Sequence, residues 1–259
     1  MTLSHDLAGT GPSTVVLLHS GVCDRRMWDA QFSALAEAGH RVVRCDLRGF
    51  GETPVDAPHT HAEDVRDLID RLGADRVAVV GSSFGGEVAL EFAARHSGRV
   101  AALALLGSGM PGMEPSAELA AWGDREDALL DADDLDAAVE LNVDTWLGPE
   151  AGEEARALVR KAQRHAFEVQ LAAPEEYEPV DPGVTLEEIA GVRAPALVVV
   201  GAHDLPDFRA VADELARLLP AARRVDLDWA GHLPALERPE ETARLLVDFL
   251  AEALAPTAP

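Results

Sequence analysis

Short apolar runs separated by longer stretches of helical periodicity constrain this chain more than any other feature of its sequence. Val15 to Leu18, Arg41 to Leu47, Val77 to Val80, Val100 to Leu106, Ala196 to Val200 and Ala222 to Leu227 each read as a strand. Most are apolar without alternation, as expected of strands covered on both faces. The segments between them, Trp28 to Ala38, His61 to Leu72, Phe84 to Arg95, Asp207 to Leu219 and Glu240 to Ala253, carry helical patterns. Thr60 and Glu63 form a capping-box pattern at one helix start, and Pro239 stands at another. Strands alternating with helices specify an α/β fold: a mostly parallel sheet with helices on both faces. Residues Thr2 to Ala8 supply one further antiparallel edge strand, which makes about seven.

One interval breaks this rhythm. After Leu106 the next strand begins only at Ala196, whereas a simple crossover needs roughly 10 to 30 residues. The excess reads as helical from Ser116 to Leu171, with Trp122, Leu129, Leu135, Trp146 and Phe167 as apolar anchors, and returns through the Pro- and acid-rich stretch Pro174 to Gly183. The expected organisation is therefore a core of residues 1–110 and 185–259 carrying a helical cap, or lid, of residues 111–184. The tail Pro256 to Pro259 is expected to be disordered.

The strand ending at Val80 runs into Gly81-Ser82-Ser83-Phe84-Gly85-Gly86 and then directly into a helix. Gly-x-Ser-x-Gly gains its meaning from that context. A turn this tight strains the central residue, demands small neighbours, and lifts the serine hydroxyl above the sheet at a helix N-terminus. Ser83 is the expected nucleophile; Ser82 falls at the x position. An alcohol nucleophile needs a base, and the base an orienting acid. Both lie past later strands, Asp204 in Gly201-Ala202-His203-Asp204 and His232 in Ala230-Gly231-His232-Leu233.

With these motifs in the order nucleophile, acid, histidine, the chain resembles the α/β-hydrolase superfamily along essentially its whole length. His19-Ser20-Gly21, Trp28 and Asp46-Leu47-Arg48-Gly49-Phe50-Gly51 complete the resemblance. It implies an α/β-hydrolase fold and a serine esterase or lactonase in which Ser83 attacks a carbonyl carbon, His232 carries the proton and Asp204 orients the imidazole. Asp207 is the alternative acid, with capping of the following helix as its other reading. The implied oxyanion hole uses the backbone N–H groups of Phe84 and Gly21, with Val22 the alternative second donor because Ser20 replaces the glycine many relatives carry. His19 is implied to order its loop, and Asp46 and Arg48 to tie down the loop after the second of the strands named above. Val22, Trp28, Trp122, Trp146 and Leu233 are the candidate pocket residues. His59, His61, His165 and His203 read as surface or loop residues.

Two other functions share the fold. A carbon–carbon bond hydrolase of the meta-cleavage product type uses the same triad but binds anionic dienoates, for which Arg125, Arg156, Arg160 or Arg164 would have to reach the pocket. A cyclase, lyase or ligand-binding protein would keep the fold and drop hydrolysis. A serine nucleophile speaks against the epoxide-hydrolase and dehalogenase branches, which need a carboxylate.

The formal net charge of −24 argues against nucleic acid or an anionic membrane surface as a partner; the resemblance implies a small-molecule substrate. Met1 to Gly11 shows neither a basic nor an apolar leader region, and no apolar run reaches the roughly 20 residues of a membrane helix. Cys23 and Cys45 form no framework and read as buried reduced thiols, so a cytoplasmic protein is expected. The chemistry needs no cofactor and no metal. Oligomeric state is not written in the sequence.

Overall fold

A computed structural model describes residues 2–255; the expectation for Pro256 to Pro259 lies outside the described residues. The strands are β1 (His5–Ala8), β2 (Thr14–Leu18), β3 (Arg41–Cys45), β4 (Val77–Ser82), β5 (Val100–Leu106), β6 (Ala196–Gly201) and β7 (Ala222–Leu227). The helices are α1 (Asp29–Glu37), α2 (His61–Arg71), α3 (Phe84–Arg95), α4 (Ala117–Asp131), α5 (Leu135–Trp146), α6 (Glu153–Leu171), α7 (Leu186–Ala190), α8 (Pro206–Leu218), α9 (Pro234–Glu237) and α10 (Pro239–Ala253).

The seven strands form one sheet in the order β1-β3-β2-β4-β5-β6-β7. Only β1 runs antiparallel, against β3. The chain leaves β2 towards one edge and returns to lay β4 on its other side, so strand order reverses between β2 and β4. Open α/β sheets bind ligands outside the carboxyl ends of strands at such a reversal. Gly21 and Ser83 follow those two strands.

Successive residues of the central strands point to opposite faces and enter two cores. Val16, Leu18 and Val79 meet Leu68 of α2, Leu90 of α3 and Leu215 of α8 on one side. Val15, Leu17 and Val80 meet Leu35 of α1 and Leu246 and Leu250 of α10 on the other. All of these side chains are buried, which is why β2 and β4 tolerate no polar alternation. The edge strand β7 is instead nowhere fully buried, and its Arg223 and Asp226 are exposed. Charges there discourage edge-to-edge pairing.

Helices α4, α5 and α6 fill the interval between β5 and β6. Their buried residues Val139, Val143, Val159 and Phe167 belong to the same apolar cluster as the α1/α10 face of the sheet.

Two helix starts differ from the sequence reading. Thr60 precedes α2 without capping it through its side chain, and the Glu63 carboxylate, which a capping box would turn back to the Thr60 N–H, is taken by His96 Nε2 at 2.9 Å and by Arg66. The capping box forms instead at α7, between Thr185 and Glu188. Asp207 does not cap α8 either: Leu205 holds that position, Pro206 opens the helix, and Asp207 faces the start of α4.

Candidate active site

The turn between β4 and α3 is built on absent side chains. A Cβ on Gly81 would lie 2.2 Å from the Gly85 carbonyl oxygen, and one on Gly85 would lie 2.4 Å from the carbonyl oxygens of Leu18 and His19. The helix can therefore start directly against the end of β2. Ser83 adopts φ 53° and ψ −117°, one of two non-glycine residues with positive φ among those described. For an L-residue such a conformation costs on the order of 1–3 kcal/mol, and is kept only where the surroundings enforce it. Here its N–H donates to Leu106 O at 2.9 Å, and its carbonyl accepts from Gly86, Glu87 and Gly109.

The Ser83 hydroxyl lies 2.7 Å from Nε2 of His232. Nδ1 of the same ring lies 2.9 Å from both carboxylate oxygens of Asp204. A carboxylate offers no proton, so Nδ1 carries the hydrogen and Nε2 accepts from the serine O–H. Both His232 and Asp204 are buried, at 2% and 6% exposure, which removes competing water from the pair. Asp204 also accepts the Leu205 N–H at 2.7 Å. Gly107 makes room for the pair, since a Cβ there would lie 2.7 Å from His232 O and 3.1 Å from its Nδ1.

Sequence reasoning missed Glu237. Its two carboxylate oxygens accept the N–H groups of Gly231 (2.9 Å) and Leu233 (3.1 Å), the residues flanking His232. The carboxylate is buried, and burial raises its pKa while those N–H groups pull it down. The only sequence signal was an acidic residue five positions after the histidine in an otherwise apolar turn.

Across the cleft, the loop after β2 is ordered by His19. Its Nδ1–H donates to Ser20 O at 2.8 Å and its Nε2 accepts the Leu47 N–H at 2.9 Å. Burial lowers its pKa, keeping the ring neutral as this double role requires. Asp46 accepts the N–H groups of Arg25 and Glu52 at 2.8 Å each, and Arg48 pairs with Asp64 and Asp56, so both brace the loop after β3. Phe84 is the first residue of α3, where a backbone N–H has no partner within the helix. Its side chain is held by Phe50 and by His61, with ring centroids at 5.8 and 5.0 Å. In the β2 loop, Val22 N–H points to Ser20 Oγ at 3.5 Å, leaving Gly21 the freer donor.

A serine, histidine and carboxylate in this geometry, on an elbow between strand and helix, can carry acyl transfer. A profile of the alpha/beta hydrolase family matches residues 15–245. The chain belongs to that family. It is 32% identical over 251 residues to a pimeloyl-acyl-carrier-protein methyl ester esterase of Aromatoleum aromaticum, covering 91% of this chain and 97% of that one. It is 30% identical over 264 residues to a 2-hydroxy-6-oxononadienedioate/2-hydroxy-6-oxononatrienedioate hydrolase of Paraburkholderia phymatum, covering 94% and 89%. Among solved structures, the enol-lactonase of Burkholderia xenovorans LB400 superposes with a TM-score of 0.80 at 28% identity, covering 96% of each chain. The protein is thus a hydrolase of the α/β class with esterases, lactonases and carbon–carbon bond hydrolases among its relatives.

In this α/β hydrolase Ser83 opens into a cavity of about 270 Å³. Ser20, Gly21, Val22 and Ser83 line one part of it, and Phe208 another. The inserted helices supply the rest: Trp122 and Glu126 from α4, Asn142 and Trp146 from α5, Gln163, Phe167 and Gln170 from α6. A larger cavity of about 690 Å³ lies beyond Phe84 and shares Gln170 with the first.

Two expectations are corrected. Trp28 and Leu233 are fully buried core residues and line neither cavity, the first because its helical turn packs it into the α1/α10 face. His61 is neither a surface nor a loop residue: it opens α2, buried against Phe84, and burial lowers its pKa to about 3; His59, in the loop before it, is buried as well. His165 and His203 are exposed as expected. The arginines of the insertion do not reach the chamber. Arg125 is exposed, and Arg156, Arg160 and Arg164 are held by Asp144, Glu140 and Asp136 in exposed ion pairs. Cys23 and Cys45 are buried free thiols whose pKa burial pushes up. Among the described residues no helix is long and apolar enough to cross a membrane.

Proposed function

We propose that the protein hydrolyses a small carboxylic ester or lactone through Ser83, His232 and Asp204, by way of an acyl-enzyme. The observation that carries this reading is the 2.7 Å contact between Ser83 Oγ and His232 Nε2, with Nδ1 of the same ring on Asp204. Ser83 Oγ attacks the carbonyl carbon as its proton passes to Nε2. The oxyanion of the tetrahedral intermediate is held by the N–H groups of Phe84 and Gly21. The intermediate collapses, His232 returns the proton to the departing alkoxide oxygen, and Asp204 stabilises the imidazolium in between. Water then gives a proton to His232 and its oxygen to the acyl carbon; the bond from that carbon to Ser83 Oγ breaks, His232 passes the proton to Oγ, and the acid is released. In a lactone the leaving oxygen stays tethered, so one hydroxy acid departs. No step calls on a cofactor.

Residues 111–184 serve in this reading as a lid on the core of residues 1–110 and 185–259. Support comes from the seven insertion residues that line the chamber around Ser83. The carbon–carbon bond alternative finds no cation to hold a dienoate, because the chamber lining contains Glu126 and, among the described residues, no arginine, lysine or histidine.

The test is turnover of p-nitrophenyl esters of graded chain length and of small lactones, wild type beside Ser83→Ala. A loss of about 10³- to 10⁶-fold in kcat is expected in the variant, whose fold should persist. An inactive wild type, or a variant that keeps its rate, overturns the reading.

A further inference from the structure

Two polar residues of the chamber around Ser83, Glu126 and Asn142, are hydrogen-bonded to each other. Asn142 Oδ1 accepts the Trp146 indole N–H at 2.9 Å, which fixes the orientation of the amide. Its Nδ2 therefore faces outwards as a donor, to Ala138 O at 3.0 Å and to Glu126 Oε1. Trp146 is itself held by Trp122, at 4.8 Å between ring centroids, and Trp122 by Thr145 through its N–H at 2.9 Å. Glu126 is thus mounted on a rigid support inside a chamber of about 270 Å³.

No cation compensates it. The influences on its ionisation are burial, which raises its pKa, then the Asn142 amide and the neighbouring Asp127. Gln163 lines the same chamber at 4% exposure, and its Oε1 has no hydrogen-bond partner among the described residues. A buried amide oxygen left unpaired is costly, and the cost disappears when a ligand supplies a donor.

Resting on the serine-hydrolase reading above, we propose that Glu126 and Gln163 form the specificity end of the chamber, selecting uncharged esters or lactones that carry an N–H or O–H donor and turning away substrates that carry a carboxylate. A substrate carboxylate would be desolvated beside a like charge in a chamber lined by no arginine or lysine, which is costly on both counts. An amide or hydroxyl would instead give its proton to Glu126 Oε2 or Gln163 Oε1, completing groups that are short of partners. The overall charge of −24 works in the same direction by lowering the local concentration of anions.

Three esters of nearly equal length separate the possibilities: p-nitrophenyl hexanoate, the mono-p-nitrophenyl ester of adipic acid, and the p-nitrophenyl ester of adipamic acid. For the wild type, kcat/KM on the adipamate should exceed that on the adipate by at least about 10-fold, mostly through KM. Glu126→Gln keeps the size of the side chain and an oxygen for Asn142, and should narrow that ratio by about 10-fold. Fluorescence titration of Ser83→Ala with the same compounds reads binding alone through Trp122 and Trp146, and should show the same preference. Equal handling of amide and acid by the wild type in both kinetics and binding overturns the proposal, as does an unchanged ratio in a folded Glu126→Gln protein. Failure of the serine reading looks different. Hexanoate would then not be turned over, while the binding preference would still decide the role of Glu126.

Discussion

The indole of Trp146 lies 4.7 Å from the imidazole of His232, the two planes tilted by 43°. A residue of the inserted α5 therefore touches the proposed base directly, and Phe208 of α8 flanks the same ring at 4.2 Å. The insertion shapes the chamber and also limits how the imidazole can move. Trp146→Phe keeps an aromatic face against His232 but leaves Asn142 Oδ1 without its donor. It should cost about 1 kcal/mol in urea denaturation and leave kcat nearly intact. Trp146→Ala removes the ring and should lower kcat by about 10- to 100-fold through loss of positioning. Equal kcat in the two variants would show that the contact does not orient the base.

Ser116 and Asp207 join the insertion to the core by a second route. The Asp207 carboxylate accepts the Ser116 N–H at 2.7 Å and its hydroxyl at 2.8 Å, while Ser116 Oγ caps α4 by accepting Leu119 N–H at 3.2 Å. Hydrogen bonds to a charged acceptor contribute about 1.5–3 kcal/mol each, so Asp207→Ala should release the start of α4. Hydrogen exchange in Ala117–Asp131 should accelerate by about 10-fold or more while α3 stays protected. Uniform acceleration across the chain would mean global destabilisation, and would remove Asp207 as a local tether.

Strain at Ser83, the proposed nucleophile, predicts a trade of stability against activity. Ser83 holds a backbone conformation that glycine adopts freely. Ser83→Gly should relieve on the order of 1 kcal/mol net, after the added freedom of the unfolded chain is subtracted. Thermal denaturation should place Ser83→Gly above Ser83→Ala, with both inactive. The opposite order would mean that the elbow is unstrained in solution.

Much of this arrangement is legible in the amino-acid sequence. Each strand and each long helix of the core can be read within a few residues, though not the short α7 and α9, because β2, β4 and β6 are continuous buried runs, and because the elbow glycines answer to contacts with the ends of neighbouring strands. Ser83, Asp204 and His232 are legible for a different reason: they come within a few residues of the ends of β4, β6 and β7, parallel strands whose carboxyl ends share an edge. What cannot be read depends on which way an amphipathic surface turns. Trp28 and Trp146 are equally apolar in sequence, yet one fills the core and the other lines the chamber. Glu126, Asn142 and Gln163 carry no motif at all. Their meeting depends on how α4, α5 and α6 pack, and local patterning does not encode it. Thr60 and Glu63 match a capping pattern, but His96, just past the end of α3 and distant in sequence, takes the glutamate.

Away from the chamber, α3 contains a titrating pair. Burial first, and then the carboxylates of Glu87 and Asp181, push the Glu91 pKa up from 4.5 to about 7. Burial raises Glu87 as well, and Asp181 adds to it. A carboxyl raised in the folded state keeps a proton that the unfolded chain gives up, so stability falls as pH climbs between the unfolded and folded values. The loss from Glu91 therefore begins near pH 4.5 and is complete above about pH 7. Partial solvent exposure screens the effect, leaving on the order of 1 kcal/mol. Glu91→Gln should accordingly stabilise the protein by about that amount at pH 8 and by almost nothing at pH 4.5. Urea midpoints of the two proteins across that range measure the difference directly, and the general repulsion of a −24 chain is nearly common to both. Parallel pH profiles would place the raised pKa on another group of the pair, and Glu87→Gln is then the variant that should flatten the slope.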